Sequence, residues 1–536
     1  MLFSLPAEAV LSAGADEVQM TLRDLLDGIE FSLLRGSMDT DVTDVILDSR
    51  KVTPGVAFVC IEGTKVDSHT FIPQVVDAGA AAVVISHDAE VPGDAAVIRV
   101  PDSRLALALM SAAFFGHPTE KMTCIGITGT KGKTTTSSMI KAILEASGRK
   151  VGLIGTNGVW IGDEHYPTKN TTPESYELQQ RFSQMAGAGC EYAVMEVSSQ
   201  GIMMNRVAGI SFDLGIFTNI SPDHIGPDEH KDFEEYLSWK SKLFRMCRVG
   251  LVNRDDANYA AMIQGHTCRL HSFSWTDRPE EDKGTRSSGA APETPVVFAD
   301  ASGDESFVPS FTASNIKNIN TPGFLGFTMD YHGRSDYTVR VGIPGDFNVY
   351  NALAAVSAAD LLGVGPEAVK KAMESVRVNG RMELAHVSAH CSVIIDYAHN
   401  GVSARSMLAT LRSYKPSRLV VVFGCGGNRD PHRRYEMGEA VGSMADLAVI
   451  TADNSRFEKV EDIMRDIHKG LDPTGGASID IPDRREAISY AIENSRPGDL
   501  IAVIGKGHED YQEVNGVRTH FSDREEVDAV LRRLGW

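Results

Sequence analysis

The segment Ile125-Gly-Ile-Thr-Gly129-Thr-Lys-Gly132-Lys133-Thr134-Thr135 constrains the fold of this chain more than any other. Its apolar start reads as a buried strand, its glycines as a tight turn, and the residues from Lys133 onward as a helix. Such a turn offers backbone N–H groups without side-chain obstruction, at the positive end of a helix, and so can wrap a polyphosphate. Gly129, Thr130, Lys131, Gly132, Lys133, Thr134 and Thr135 are therefore candidate phosphate-binding residues, with Lys133 supplying a mobile charge and Thr134 a hydroxyl for magnesium. Ile127 stands where the usual phosphate loop has its first glycine, so the spacing is Gly-x-x-Gly-Lys-Thr. A glycine-rich turn without a ligand is the alternative. The strand–turn–helix context favours a nucleoside triphosphate.

A second regularity concerns where polar residues fall. Apolar, β-rich runs at 192–195, 393–395, 419–423, 447–450 and 500–504 are each followed at once by polar residues. These are Glu196, Asp396, Gly424-Cys-Gly-Gly-Asn-Arg429-Asp430, Asp453-Asn454-Ser-Arg456 and Gly505-Lys506-Gly-His508-Glu509. Continuous apolar runs are what parallel strands buried on both faces require, and the carboxyl ends of such strands line the ligand crevice. Glu196 is placed to hold magnesium opposite Thr134, because this hard cation takes few protein oxygens besides phosphate and water. His224 and Lys240, judged alone, read as a loop histidine and a solvated helix lysine.

A chain of 536 residues exceeds one core and suggests about three domains. Alternating strand and helix patterns predict an α/β protein with domains at 1–118, 119–378 and 379–536. The polar stretch 275–295 reads as a mobile surface loop within the second. A net charge of -20 argues against nucleic acid as a partner, since phosphate backbones need a concentrated positive surface. Seven scattered cysteines, none in a Cys-x-x-Cys pair, suit reduced thiols. The first residues lack a basic, then apolar, leader, and no run approaches the ~20 apolar residues of a membrane span. A cytoplasmic protein with no membrane partner is expected.

Taken together, Gly129-Thr-Lys-Gly-Lys-Thr-Thr, Met195-Glu-Val-Ser-Ser, Thr218-Asn with Asp223-His224, Tyr236-x-x-x-Lys240, Phe347-Asn-x-x-Asn351-Ala, Gly380-Arg381-Met-Glu and Asp396-Tyr-Ala-His399 resemble the Mur ligases. These are the ATP-dependent amide-forming enzymes of peptidoglycan precursor synthesis. Asp48-Ser49-Arg50, Asn170-Thr-Thr172-Pro, Asp453-Asn-x-Arg456 and Gly505-Lys-Gly-His-Glu509 resemble the members that add the third residue of the stem peptide. The resemblance implies a central P-loop ATPase domain, a C-terminal Rossmann-like domain and a monomer that handles only small molecules: ATP, a UDP-N-acetylmuramoyl dipeptide and a diamino acid. It implies that Leu47 and Ser49 contact the UDP moiety, while Asn170, Thr171, Thr172, Ser198 and Arg206 hold the nucleotide-sugar dipeptide. Asn351, Arg381 and Asp396 complete the ATP site. Thr134, Glu196, His224 and Lys240 surround magnesium, with Lys240 carboxylated by CO₂, and Lys133, Glu196, His224 and Lys240 form the catalytic set.

For the amino acid, the resemblance implies Arg429, Asp453, Asn454, Arg456, Gly505 and Glu509. Arg456 suits bidentate binding of the distal carboxylate of meso-diaminopimelate. The wording Asp223-His-Ile-Gly-Pro-Asp-Glu-His230 resembles lysine-adding members instead, so L-lysine or L-ornithine stays open as acceptor, as does a regulatory ATPase. Three positions depart from the family pattern: Gln200 for His, Met204 for Gln and Ser455 for Pro. His399 and His508 are the candidates for a base at the attacking amine.

Overall fold

Three β-sheets organise the chain in the computed structural model, which describes residues 20–63, 66–226, 229–278, 310–321 and 323–536. The loop expected at 275–295 lies largely outside the described residues, as do the first 19.

The N-terminal sheet orders Ser32–Arg35, Ala96–Arg99, Ala82–Ile85, Ala57–Val59 and Val45–Ile46, parallel except for the first strand. The central sheet has a parallel middle. Val151–Gly155, Tyr192–Glu196, Thr123–Thr128, Phe212–Phe217, Cys247–Asn253, Arg269–Trp275 and Ser310–Thr321 lie side by side in that order. Antiparallel strands extend both edges: Gly158–Ile161 and Glu164–Tyr166 on one, Phe324–His332 and Tyr337–Val341 on the other. The C-terminal sheet runs Glu383–Val387, Cys391–Asp396, Asp499–Ile504, Arg418–Phe423, Leu447–Ile450 and Ser478–Asp480, parallel after its first strand.

The apolar runs are continuous because these strands have core on both faces. Ile125, Ile127 and Val194 join one apolar cluster, while Cys124, Ala193 and Met195 join another on the opposite face. The first cluster continues through the helix Asp346–Leu361 into Met382, Leu384 and Ile394, so central and C-terminal sheets share packed side chains. That helix is buried nearly all round from Asn348 to Asp360, which explains its alanine-rich sequence.

Strand registers bring the polar ends level. Glu196, the last residue of its strand, pairs with Ile127, two residues before Gly129. Ile504 lies opposite both Asp396 and Phe423, and Phe423 opposite Ile450. The residues that follow these strands therefore emerge together at one end of the C-terminal sheet. Among the described residues, no helix is long and apolar enough to cross a membrane, and all seven cysteines are buried free thiols.

Candidate active site

The phosphate loop is held open from outside. Thr218 donates its hydroxyl to the Lys131 carbonyl at 2.8 Å, and the Asn219 amide donates to the same oxygen at 2.9 Å. The Lys131 backbone N–H in turn donates to Asn219 Oδ1 at 3.0 Å, and Thr130 Oγ1 lies 3.1 Å from the Tyr236 hydroxyl. Glycine is required at both corners. A Cβ on Gly129 would stand 2.0 Å from Thr218 Oγ1, and one on Gly132 2.2 Å from Asn351 Oδ1. Gly132 has φ +86° and begins the helix Lys133–Ala146, whose first turn buries Thr134 and Thr135. Thr136 Oγ1 donates to Asn351 Oδ1 at 3.4 Å, which brings the predicted Asn351 against the loop.

Two lysines converge on one carbonyl. Lys133 Nζ donates to the Gly129 oxygen at 2.8 Å and the Thr130 oxygen at 3.2 Å, while Lys240 Nζ donates to Gly129 at 3.0 Å. Lys240 is 2% exposed, lies over the Tyr236 ring, and forms no ion pair with a carboxylate among the described residues. Burial, then the neighbouring Lys133, pushes its ammonium well below the usual range, with Asp223 opposing. Burial also lowers Lys133, reinforced by Lys131 and Arg381 and opposed by Glu196 and Asp223.

Glu196 is fully buried. Its carboxylate accepts the Thr156 N–H at 2.9 Å and hydroxyl at 3.2 Å, and it lines a cavity of about 240 Å³ together with Thr134. His224 has φ +54°, pairs through Nδ1 with Glu229 at 2.9 Å, and borders the same Tyr236 ring as Lys240. A magnesium ion fits this donor set on one condition. Glu196 and Thr134 offer hard oxygens, but an ammonium is no ligand; Lys240 suits a cation only as a carbamate.

Around this centre, Thr172 Oγ1 donates to the Glu196 carbonyl at 2.9 Å and accepts from the Ser198 N–H at 3.0 Å. Thr171 Oγ1 lies 3.0 Å from Thr156 Oγ1, and Arg206 donates to the Thr172 carbonyl and pairs with Glu174 at 2.7 Å. Asn170 is exposed beside them. Leu47 and Ser49 sit apart from this group: Leu47 packs on the core beneath the N-terminal sheet, and Ser49 opens a short 3₁₀ turn capped by Asp48. Arg50 holds that aspartate down at about 2.

Across the junction, Asp396 accepts the Met382 N–H at 2.7 Å and the Ala398 N–H at 2.8 Å. Arg381 lies over the Tyr397 ring, with its Nε buried and unpartnered. Beyond it the amino-acid set gathers. The Asn454 amide donates to Glu509 Oε2 at 2.8 Å, and a Cβ on Gly505 would stand 2.8 Å from Asp453 Oδ2. Arg456, at φ +51°, donates to the Gly427 carbonyl at 2.7 Å, and Arg429 packs on the same glycine loop.

Several contributors carry no strong sequence signal of their own. Thr156 fixes Glu196. Lys506, fully buried, donates to Asn454 Oδ1 at 3.2 Å and Glu509 Oε2 at 3.3 Å. Tyr397 donates to Glu509 Oε1 at 3.4 Å. The hairpin Tyr511–Val514 and Val517–His520 grips Arg456: the Arg456 N–H donates to Glu513 at 2.9 Å, and the Asn515 N–H to Arg456 at 2.6 Å. Its Asn515-Gly516 turn, a strong hairpin signal, was legible. Of the candidate bases, His399 is exposed and bonded to the Tyr397 carbonyl, whereas His508 is half-buried with its Nδ1 buried and unpartnered.

Comparison with known proteins places this geometry. Family models match at residues 41–115 (Mur ligase family, catalytic domain), 127–359 (Mur ligase middle domain) and 380–507 (Mur ligase, glutamate ligase domain). The chain is 37% identical over 517 residues to a UDP-N-acetylmuramoyl-L-alanyl-D-glutamate–2,6-diaminopimelate ligase of Clostridium perfringens, covering 96% of this chain and 99% of the relative. It is 39% identical over 514 residues to the protein of that name from Caldanaerobacter subterraneus, with the same coverage. A solved structure of a ligase so named aligns with a TM-score of 0.69 at 27% identity, over 97% of this chain and 100% of the other. By sequence over nearly its whole length and by fold, this chain belongs to the Mur ligase family.

Proposed function

We propose that the protein is the ATP-dependent ligase that joins meso-2,6-diaminopimelate to UDP-N-acetylmuramoyl-L-alanyl-D-glutamate, acting as a cytoplasmic monomer in peptidoglycan precursor synthesis. The observation that carries this reading is the level emergence of three residue sets. A phosphate loop, a threonine–arginine group beside Glu196, and an arginine–carboxylate pocket border the seam where Asn157 meets Asn379, Gly380 packs on His508 and Arg381 acts on Lys133. Domain limits at 1–118, 119–378 and 379–536 accord with the three sheets.

A carboxylate resists amines because attack must expel an oxide. Transfer of the ATP γ-phosphoryl group to the terminal D-glutamyl carboxylate forms the acyl phosphate and releases ADP. The amine then adds to the carbonyl carbon, and the tetrahedral adduct collapses with loss of phosphate. Lys133 and the N–H groups from Gly129 to Thr135 hold the phosphates, Asn351, Arg381 and Asp396 complete the nucleotide site, and Arg206 with Thr171 and Thr172 orients the dipeptide. Leu47, Ser49, Asn170 and Ser198 bind the rest of the nucleotide sugar. Asp453, Asn454, Gly505 and Glu509 hold the ammonium end of the acceptor, while Arg456 and Arg429 hold its carboxylates.

Lys240 is suited to carboxylation: burial beside Lys133 favours its uncharged amine, which adds to CO₂, loses a proton and becomes an anion. Thr134, Glu196, His224 and that carbamate would hold Mg²⁺, which supplies positive charge against the polyphosphate.

The test supplies ATP, Mg²⁺ and the UDP-muramoyl dipeptide with meso-diaminopimelate or L-lysine separately, and weighs the product. A diaminopimelate adduct is expected, and its loss in Lys133→Ala. Product with L-lysine alone overturns the acceptor, and phosphate release without dipeptide overturns the ligase.

A further inference from the structure

Beneath the acceptor pocket lies an ion pair that contacts none of the residues assigned to it by side chain. Arg484 and Asp523 are both fully buried. The guanidinium grips the carboxylate with two parallel bonds, Nε to Oδ1 and Nη2 to Oδ2, each 2.7 Å. Its remaining donors reach backbone. Arg484 Nη1 donates to the Ala452 carbonyl at 3.3 Å and Nη2 to the Ile504 carbonyl at 3.0 Å. Ala452 directly precedes Asp453-Asn454-Ser455-Arg456, and Ile504 directly precedes Gly505-Lys506-Gly507-His508-Glu509.

The sheet itself cannot fix these two segments against each other. Leu447–Ile450 and Asp499–Ile504 are not neighbours, because Arg418–Phe423 lies between them. No ladder hydrogen bond therefore spans the two strand ends. On the pocket side the segments are joined by side chains, through Asn454, Lys506 and Glu509, and beyond Glu509 by the hairpin's backbone bonds to Arg456. On the core side the guanidinium spans them. Its donors are fixed in one plane, so both carbonyls are held relative to one rigid group. Asp523 begins the C-terminal helix Asp523–Leu534 and Arg484 begins the helix Arg484–Glu493, so the rigid group is anchored to two helices.

We infer that Arg484, oriented by Asp523, is a positioning residue for the diamino acid: it sets the spacing between the Asp453–Arg456 segment and the Gly505–Glu509 segment. This rests on the acceptor site proposed above. Burial opposes the charge on Arg484, but Asp523 and, at longer reach, Asp453 and Glu509 sustain it.

Arg484→Lys tests the inference. One ammonium keeps the charge opposite Asp523 but cannot hold the carboxylate and both carbonyls together. KM for meso-diaminopimelate should rise about tenfold or more, as small misplacements of binding groups do. The KM values for ATP and the UDP-muramoyl dipeptide, and kcat at saturating acceptor, should stay within about twofold. If burial of the changed pair prevents folding, the volume-matched double variant Arg484→Met with Asp523→Leu removes both charges at once and should show the same selective rise. An unchanged acceptor KM in either folded variant, or equal rises for all three substrates, overturns the inference. Wild-type turnover with meso-diaminopimelate tests the function itself, whereas the variant-to-wild-type KM ratio tests the clamp.

Discussion

At the scale of single residues, the environment of each charged group decides its use. Lys506 has Glu509 and Asp453 within reach, whereas Lys240 bonds a backbone carbonyl beside Lys133 and the Tyr236 ring, with Asp223 acting from further off. Arg456 gives one nitrogen to Gly427, and on the proposed reading the rest of its fork meets a carboxylate of the acceptor. A charge-assisted pair contributes about 1.5–3 kcal/mol. Arg456→Ala should therefore raise KM for meso-diaminopimelate about tenfold to a hundredfold and leave KM for ATP unchanged in initial-rate assays. Equal losses for both substrates would remove its assigned role. His508 gives a pH prediction. Burial first, then Arg381, lowers its ring from 6.5 to about 4, with Asp510 opposing. Between those values the unfolded chain binds a proton that the folded one refuses, so stability falls as pH drops from about 6.5 toward 4. The linked loss is at most about 3 kcal/mol. His508→Phe should match the wild type near pH 7 and gain on it in thermal unfolding at pH 5. Parallel melting profiles for the two proteins would show that folding does not lower the proton affinity of this ring.

At the scale of elements, the hairpin from Tyr511 to His520 shows how a peripheral piece can control the pocket. Asn515 and Gly516 have φ of +50° and +76°, the signs that a two-residue type I′ turn needs. A Cβ at Gly516 would also approach the Phe457 ring to 3.3 Å. Gly516→Val places a β-branched residue at positive φ, a strain of about 1–3 kcal/mol. The expected result is a several-fold rise in acceptor KM with little change in melting temperature, because the hairpin grips Arg456 but adds few residues to the core. A global fall in stability with KM unaltered would refute it. The same scale shows what sequence could convey. Parallel strands buried on both faces leave unbroken apolar runs, so 447–450 was legible to the residue; the antiparallel edge strand 337–341 showed instead as apolar–polar alternation, and the strand–turn–helix at 123–146 was clear from its glycines. The helix expected at 351–362 starts five residues earlier, at Asp346, since its first turn is polar and its packing is tertiary. The helix Pro366–Ser375 went unread, although its proline and glutamate mark a helix start. Glu196, Lys133 and Asn454 were visible from their places after strands or in the phosphate loop. Arg484 and Asp523 were not, because 39 residues separate them and neither sits in a motif.

At the scale of the whole molecule, the sheets meet through polar seams at one end and a shared core at the other. The N-terminal and central sheets are bridged by Tyr176 donating to Asp44 at 2.8 Å, Asn205 donating to Asp102 at 2.8 Å, and Glu174 lying between Arg104 and Arg206. Asn157 donates to the Asn379 carbonyl at 3.0 Å across the other seam, next to Arg381. There two cations face each other: Arg381 disfavours the charge on Lys133. Like charges at a junction push it apart until an anion joins them, and on the proposed reading a triphosphate held by Lys133 on one sheet and Arg381 on the other would do so. On that reading, nucleotide binding would be coupled to approach of the C-terminal sheet, which would carry Arg456 and Glu509 toward the acyl phosphate and exclude water from it. A non-hydrolysable ATP analogue should therefore shrink the radius of gyration of the wild-type protein in small-angle X-ray scattering. Arg381→Ala should bind the analogue about tenfold to a hundredfold more weakly, the loss of one charge-assisted contact, and should not contract even at saturation. Full contraction in that variant would mean that closure is driven elsewhere, by the phosphate loop or the nucleotide sugar, and that Arg381 only greets a nucleotide already enclosed.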